Sequence, residues 1–162
     1  MKIRHILLTT DLSDAALRPF EPVLELARSS GARVTVLHVV RDLPIAAHGA
    51  PLAPPIHPPN LQADLKTARA SLEDQCRALG DGVEVVAAVI SHQNPASGIV
   101  EFAEEHDVDL VALSSHGRTG FRRFALGSVA EAVLRHSAVP VLSFHRPTET
   151  LGGSVRRSSR GI

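Results

Sequence analysis

The chain has 162 residues, 44% hydrophobic and 21% charged, which is enough for one packed core and too few to require two domains. Seventeen Lys and Arg offset seventeen Asp and Glu, so no overall field draws the chain to nucleic acid or an anionic membrane, and a charged ligand has to be met locally. The single cysteine, Cys76, excludes an internal disulfide and a cysteine-rich zinc site, and it reads as core because it falls on the apolar stripe of an expected helix.

The chain begins with "IRHILLTTD", a strand-like run closed by Asp11. Its apolar stretch, Ile6 to Leu8, is too short for a signal peptide or a membrane span, so a cytoplasmic protein without a membrane partner is expected. Leu17, Phe20, Leu24 and Ala27 follow at helical spacing. Pro19 and Pro22 fall among them, and an interior proline costs about 3 kcal/mol, so this helix starts late or kinks. Gly31 stops it, and "ARVTVLHVV" is the second strand. Residues 41–60 carry six of the eleven prolines without periodicity and read as a long exposed connection. His48 and His57 within it have no acidic or thiol neighbour with which to bind a metal.

Asn60 can cap a second helix marked by Leu61, Leu65, Ala68, Leu72, Cys76 and Leu79, with Gly80 as its stop. "GVEVVAAVI" is the third strand. Asn94–Pro95 supplies a cap and a first-turn proline to a third helix carrying Ala96, Ile99, Val100 and Ala103. "VDLVALSS" is the fourth strand, a helix opens at Gly127–Ser128, and "AVPVLSF" is the fifth strand. Near-continuous apolar runs alternating with amphipathic helices are the mark of a parallel sheet covered on both faces. One α/β domain over residues 1–146 is expected, of flavodoxin-like type with strand order 3-2-1-4-5, followed by a disordered polar tail over 147–162.

In such a sheet the ligand sits at the carboxyl ends of the strands where the winding reverses, here between the first and fourth strands. The first delivers Thr9, Thr10 and Asp11; the fourth delivers Ser114 to Gly117 and a loop ending at Gly127–Ser128. Glycines let backbone amides approach closely, and a helix N-terminus offers N–H groups to an anion, so the loop is a candidate phosphate site. "TTDLSD" lacks the glycines of a dinucleotide fingerprint, and with Lys2 and Lys66 as the only lysines no Walker loop can form.

The residues resemble the universal stress protein family, whose ATP-binding members carry G-2x-G-9x-G-[ST] between the fourth strand and the fourth helix. The segment reads Ser114-Ser115-His116-Gly117, nine residues, then Gly127-Ser128. "HILLTTDLSD", "VTVLHVV", "GIVEFAEEHDVDLVALSSHGRTG" and "GSVAEAVLRHSAVPVL" resemble family segments in the family's order, so the likeness spans nearly the whole chain. It implies ATP, AMP or ADP held with Asp11 and the backbone of His38, Val39 and Val40 around adenine and ribose. Ser114, His116, Gly117, Gly127, Ser128 and Val129 would then surround the phosphates, with Thr10 beside Asp11. Mg²⁺ or Mn²⁺, if used, would be held mainly by phosphates and Ser128. Ser114 stands where the motif has its first glycine, which matters if that position needs positive φ.

Plainer roles compete. Asp11 can cap the turn into the first helix, His38 can be a packed strand residue, and His116 has a structural role, because no nucleophile with an orienting carboxylate is identifiable. Arg118, nearest Gly117, is the candidate countercharge for phosphate. The whole reads as a nucleotide-binding regulatory module of stress response and not as an efficient enzyme. A nucleotide-free interaction protein and a slow ATP hydrolase are the alternatives. The fifth strand lies at a sheet edge without charge, so a homodimer through Val139, Val141 and Phe144 is expected, as the resemblance also implies.

Overall fold

The computed structural model describes residues 2–42, 60–77, 82–115 and 126–145. The strands are β1 (His5–Thr9), β2 (Arg33–Arg41), β3 (Val85–His92), β4 (Leu110–Ser114) and β5 (Val141–Phe144). The helices are α1 (Phe20–Ser30), α2 (Leu61–Arg77), α3 (Pro95–Glu105) and α4 (Ser128–His136). All pairings are parallel and the sheet order is β3-β2-β1-β4-β5, as the sequence predicts.

Alternation along the strands builds two cores, one on each face. Ile6, Leu8, Val34, Val36 and Ala112 meet Phe20, Val23, Leu24 and Ala27 of α1 and Leu72 of α2. Leu7, Leu37, Val111 and Leu113 meet Ile99 and Phe102 of α3 and Ala130 and Val133 of α4. β1 is central and buried on both faces, which is why its apolar run is continuous.

Local chemistry sets the boundaries. A 3-10 turn over Asp14–Leu17 precedes α1, Pro19 is the residue before the helix, and Pro22 lies in the first turn, where a missing N–H removes no helical hydrogen bond. The helix therefore starts late, one of the two outcomes foreseen. Gly31 ends it with φ +68°. The side chain of Asn94 accepts from Ala96 N at 3.0 Å ahead of Pro95, as the pattern predicts. β3 starts at Val85, not Gly82, because Gly82 turns the chain with φ +103°. β5 starts at Val141 because Pro140 has no N–H to donate, although its carbonyl still accepts from Val111 at 3.0 Å. β2 runs through Arg41, the residue at which the exposed connection was expected to begin. Gly80 and the residues 147–162 of the expected tail lie outside the described residues.

At the amino ends of the strands, buried His5 of β1 ties β2 and the end of α3 together. Its Nδ1 donates to the His106 carbonyl at 3.0 Å and its Nε2 accepts from the Thr35 hydroxyl at 2.8 Å. Asp109 accepts from the backbone N–H groups of Arg4 and His5 at 2.8 and 3.0 Å. Burial holds the His5 pKa below its ordinary value, while the two N–H donors hold that of Asp109 below its own.

Candidate functional site

β1 and β4 are neighbours whose following helices lie on opposite faces of the sheet, so their carboxyl ends part and leave a crevice. A cleft of about 480 Å³ opens there, within the ordinary range for small-ligand sites. One wall is the turn after β1, another the start of α4, and the floor is Leu37, Val39, Ile99 and Leu113.

The turn after β1 is held by its own polar side chains. Thr10 Oγ1 accepts from Leu12 N at 3.0 Å, and Asp11 Oδ1 accepts from both the N–H and the hydroxyl of Ser13, at 3.0 and 2.5 Å. These bonds keep Leu12 in the left-handed region at φ +65°, a conformation that costs a leucine roughly 1–2 kcal/mol. Two bonds then fix the turn to β2: Thr10 N donates to the Leu37 carbonyl at 3.0 Å, and His38 Nδ1 donates to the Thr10 carbonyl at 2.8 Å. His38 thus positions Thr10 with its ring. Asp11 does what the plainer reading assigned, capping the turn, and also stands on the cleft wall.

Opposite, β4 ends at Ser114, whose register partner is Phe144. Positive φ among the described non-glycine residues is confined to Leu12 and Asp107, so Ser114, standing where the motif has glycine, carries no positive-φ strain. Buried Ser115 donates its N–H to the Phe144 carbonyl at 2.9 Å and accepts from Gly127 N at 2.8 Å. That second bond delivers the chain to α4, which begins without a side-chain cap at Gly127. Ser128, Val129 and Ala130, its first residues, line the cleft. The first-turn N–H groups of a helix have no partner within it and suit an anion. Gly127 has φ −61°, which any residue tolerates; what is tight is space, since a Cβ there would lie 3.2 Å from the Ser115 carbonyl oxygen.

Of the residues expected at the site, Thr10, Asp11, His38, Val39, Ser114, Gly127, Ser128 and Val129 come together around the cleft. Val40, whose backbone was expected there, is not part of its lining. His116, Gly117 and Arg118 lie outside the described residues. Sequence reasoning passed over Arg41, Pro95 and Ile99. Counting by two from Leu37 would have found Arg41, and counting by four from Pro95 would have found Ile99.

The sequence model of the universal stress protein family matches residues 2–145. The chain belongs to the universal stress protein family. Among curated family members, it is 31% identical to universal stress protein MJ0531 of Methanocaldococcus jannaschii, over 89% of this chain and 83% of that protein. Among solved structures, it superposes on UspA from Lactobacillus plantarum with a TM-score of 0.69 at 25% identity, covering 89% of this chain and 99% of that one. A universal stress protein solved in complex with cAMP matches with a TM-score of 0.63 at 22% identity, over 90% and 98% of the two chains, which speaks to the shared fold.

Proposed function

We propose that the cleft binds an adenine nucleotide, ATP or its di- or monophosphate, and that the protein is a nucleotide-responsive module of stress response. The observation that carries this reading is the uncapped start of α4 facing Asp11 across a cleft whose other end holds the apolar side chains of Leu37, Val39 and Ile99. Phosphate suits the helix N-terminus, a ribose hydroxyl suits a carboxylate, and a flat purine suits Leu37, Val39 and Ile99. Ser114 fits the reading because its backbone is unstrained. The family's cAMP complex is a further support in kind. A Mg²⁺ or Mn²⁺ ion would be held mainly by the phosphates and the Ser128 hydroxyl.

The test is whether the purified protein carries or takes up nucleotide. The chain has no Trp or Tyr, so bound adenine dominates the ultraviolet absorbance of the denatured extract, and mass spectrometry identifies it. Calorimetry with ATP, ADP and AMP completes the test. Absence of binding to all three would leave the nucleotide-free interaction protein as the reading.

The reading includes a homodimer through β5. Among the described residues no strand pairs with its outer edge, Val141 to Phe144 carry no charge, and the Ser143 hydroxyl is buried without a hydrogen-bond partner. Val139 and Val141 already pack inward, and so does Phe144 on the other face, so Leu142, 38% exposed, is the apolar side chain with most to bury. Two β5 strands pairing antiparallel about a two-fold axis would extend two sheets into one.

A further inference from the structure

Leu37, Val39 and Arg41 are alternate residues of β2 and share one face, passing from buried through half-buried to exposed as the strand leaves the core. All three line the cleft, together with Pro95 and Ile99, one turn apart at the start of α3. Arg41 Nε points to the Gln93 carbonyl at 3.5 Å, in the turn that leads into α3. The side chain is thereby leaned across the mouth of the cleft, between the strand and the helix. Arg41 and Asp11 are the two residues with formally charged side chains among the described lining, one at the end of β2 and the other in the turn after β1.

The cleft's two ends are set apart by the sheet itself. α4 begins over β4, and β4 is separated from β2 by β1, so the two ends lie roughly 10 Å apart at ordinary strand spacing. A nucleotide with phosphate at α4 lays its ribose over β1, beside Asp11, and its base over Leu37 and Val39. Arg41 then meets the base and not the phosphate. A guanidinium is planar, weakly hydrated and well suited to lie on an aromatic face, which an ammonium is not.

Resting on the nucleotide reading above, we propose that Arg41 closes the base end of the cleft, its guanidinium stacked on the outer face of the base whose inner face lies on Val39 and Ile99. Arg41 is a specificity-determining residue: it favours ligands that carry an aromatic base over ligands that present only a sugar phosphate.

The experiment titrates the full chain, Arg41→Ala and Arg41→Lys with AMP, adenosine and ribose 5-phosphate, by calorimetry or by competition. Arg41 is exposed, and matching circular dichroism and thermal unfolding confirm that the variants keep the fold. Arg41→Ala is expected to weaken AMP and adenosine by the same factor, about two- to fivefold, and to leave ribose 5-phosphate unchanged. Arg41→Lys keeps the charge and loses the plane, so it recovers only part of the loss. Equal weakening of AMP and ribose 5-phosphate with adenosine unaffected would place Arg41 at the phosphate and overturn the proposal. An unmutated chain that binds AMP as well as Arg41→Ala does would overturn it while leaving the nucleotide reading intact. An unmutated chain that binds no nucleotide at all removes both.

Discussion

Gly98 faces His92 and Val39 of the sheet at close range, and replacing it with alanine sets two known effects against each other. In an exposed helix the change gains about 1 kcal/mol of helix propensity. Here the new methyl would stand 2.9 Å from His92 Cβ, 3.1 Å from its Cγ and 3.4 Å from Val39 Cγ1. Carbon pairs are most stable at about 3.5–4.0 Å, and His92 Cβ is fixed to the backbone of β3, so the helix has to retreat by roughly half an ångström. That movement loosens the packing of Ala96, Ile99, Phe102 and Ala103, all buried, and overpacking of this sort costs about 1–3 kcal/mol. Net of propensity, Gly98→Ala should destabilise by about 1 kcal/mol, a fall in Tm of roughly 2–4 °C for a chain of this size. Val39 and Ile99 also line the cleft, so nucleotide affinity should fall in step. Thermal unfolding followed by circular dichroism reads the first effect and calorimetry the second. A Tm that rises by the propensity gain would show that the close approach of α3 to β3 is absent and that the reasoning fails.

Gly127→Val should abolish nucleotide binding in calorimetry, because the side chain crowds the Ser115 carbonyl oxygen and the phosphate space, while Gly127→Ala, unstrained at φ −61°, should keep the fold with weakened binding. Stability should decline in acid: the His5 pKa is lowered in the fold by burial, so the unfolded chain binds the proton more readily, and the His5 contribution is complete above pH 6.5 and lost as pH falls through and below that value. Asp109, also lowered, keeps its contribution until pH falls below 3.8, so urea midpoints should drop between pH 7 and pH 5 in the native chain and less so in His5→Gln. Leu142→Lys should shift sedimentation from dimer to monomer by putting a charge on the exposed side chain of the paired strand, and a native chain that is monomeric at micromolar concentration with and without ATP would exclude the β5 dimer.

The sheet was readable from sequence because its signal is redundant. Strands buried on both faces write themselves as unbroken apolar runs, and Asn94–Pro95 and Gly31 punctuate the helices between them. The strand ends were less readable, since Pro140 and Gly82 displace them by a few residues for reasons of hydrogen bonding and backbone dihedral and not of hydropathy. At the cleft, the residues found from sequence were those carried by a motif. Arg41 was missed because a charged residue next to prolines looks like loop, although the pairing of β2 with β3 extends through Arg41 and His92. The left-handed Leu12 had no sequence signal either. Its conformation follows from the hydroxyl of Thr10 and the carboxylate of Asp11 acting on the next N–H groups, a choice that competes with ordinary extended backbone.

The bond from Gly127 N to the Ser115 carbonyl, 2.8 Å long, joins two stems of the chain, the end of β4 and the start of α4. One stem is anchored to β5 through Ser115 N and Phe144, and the other is the first residue before a helix seated on the core. Each stem is thus held by a bond of its own backbone. Lengthening a closed loop twofold costs only about 0.6 kcal/mol, so the number of residues between the two stems can change at little cost to the sheet. Descendants of such a scaffold can change what is gripped without refolding the hand.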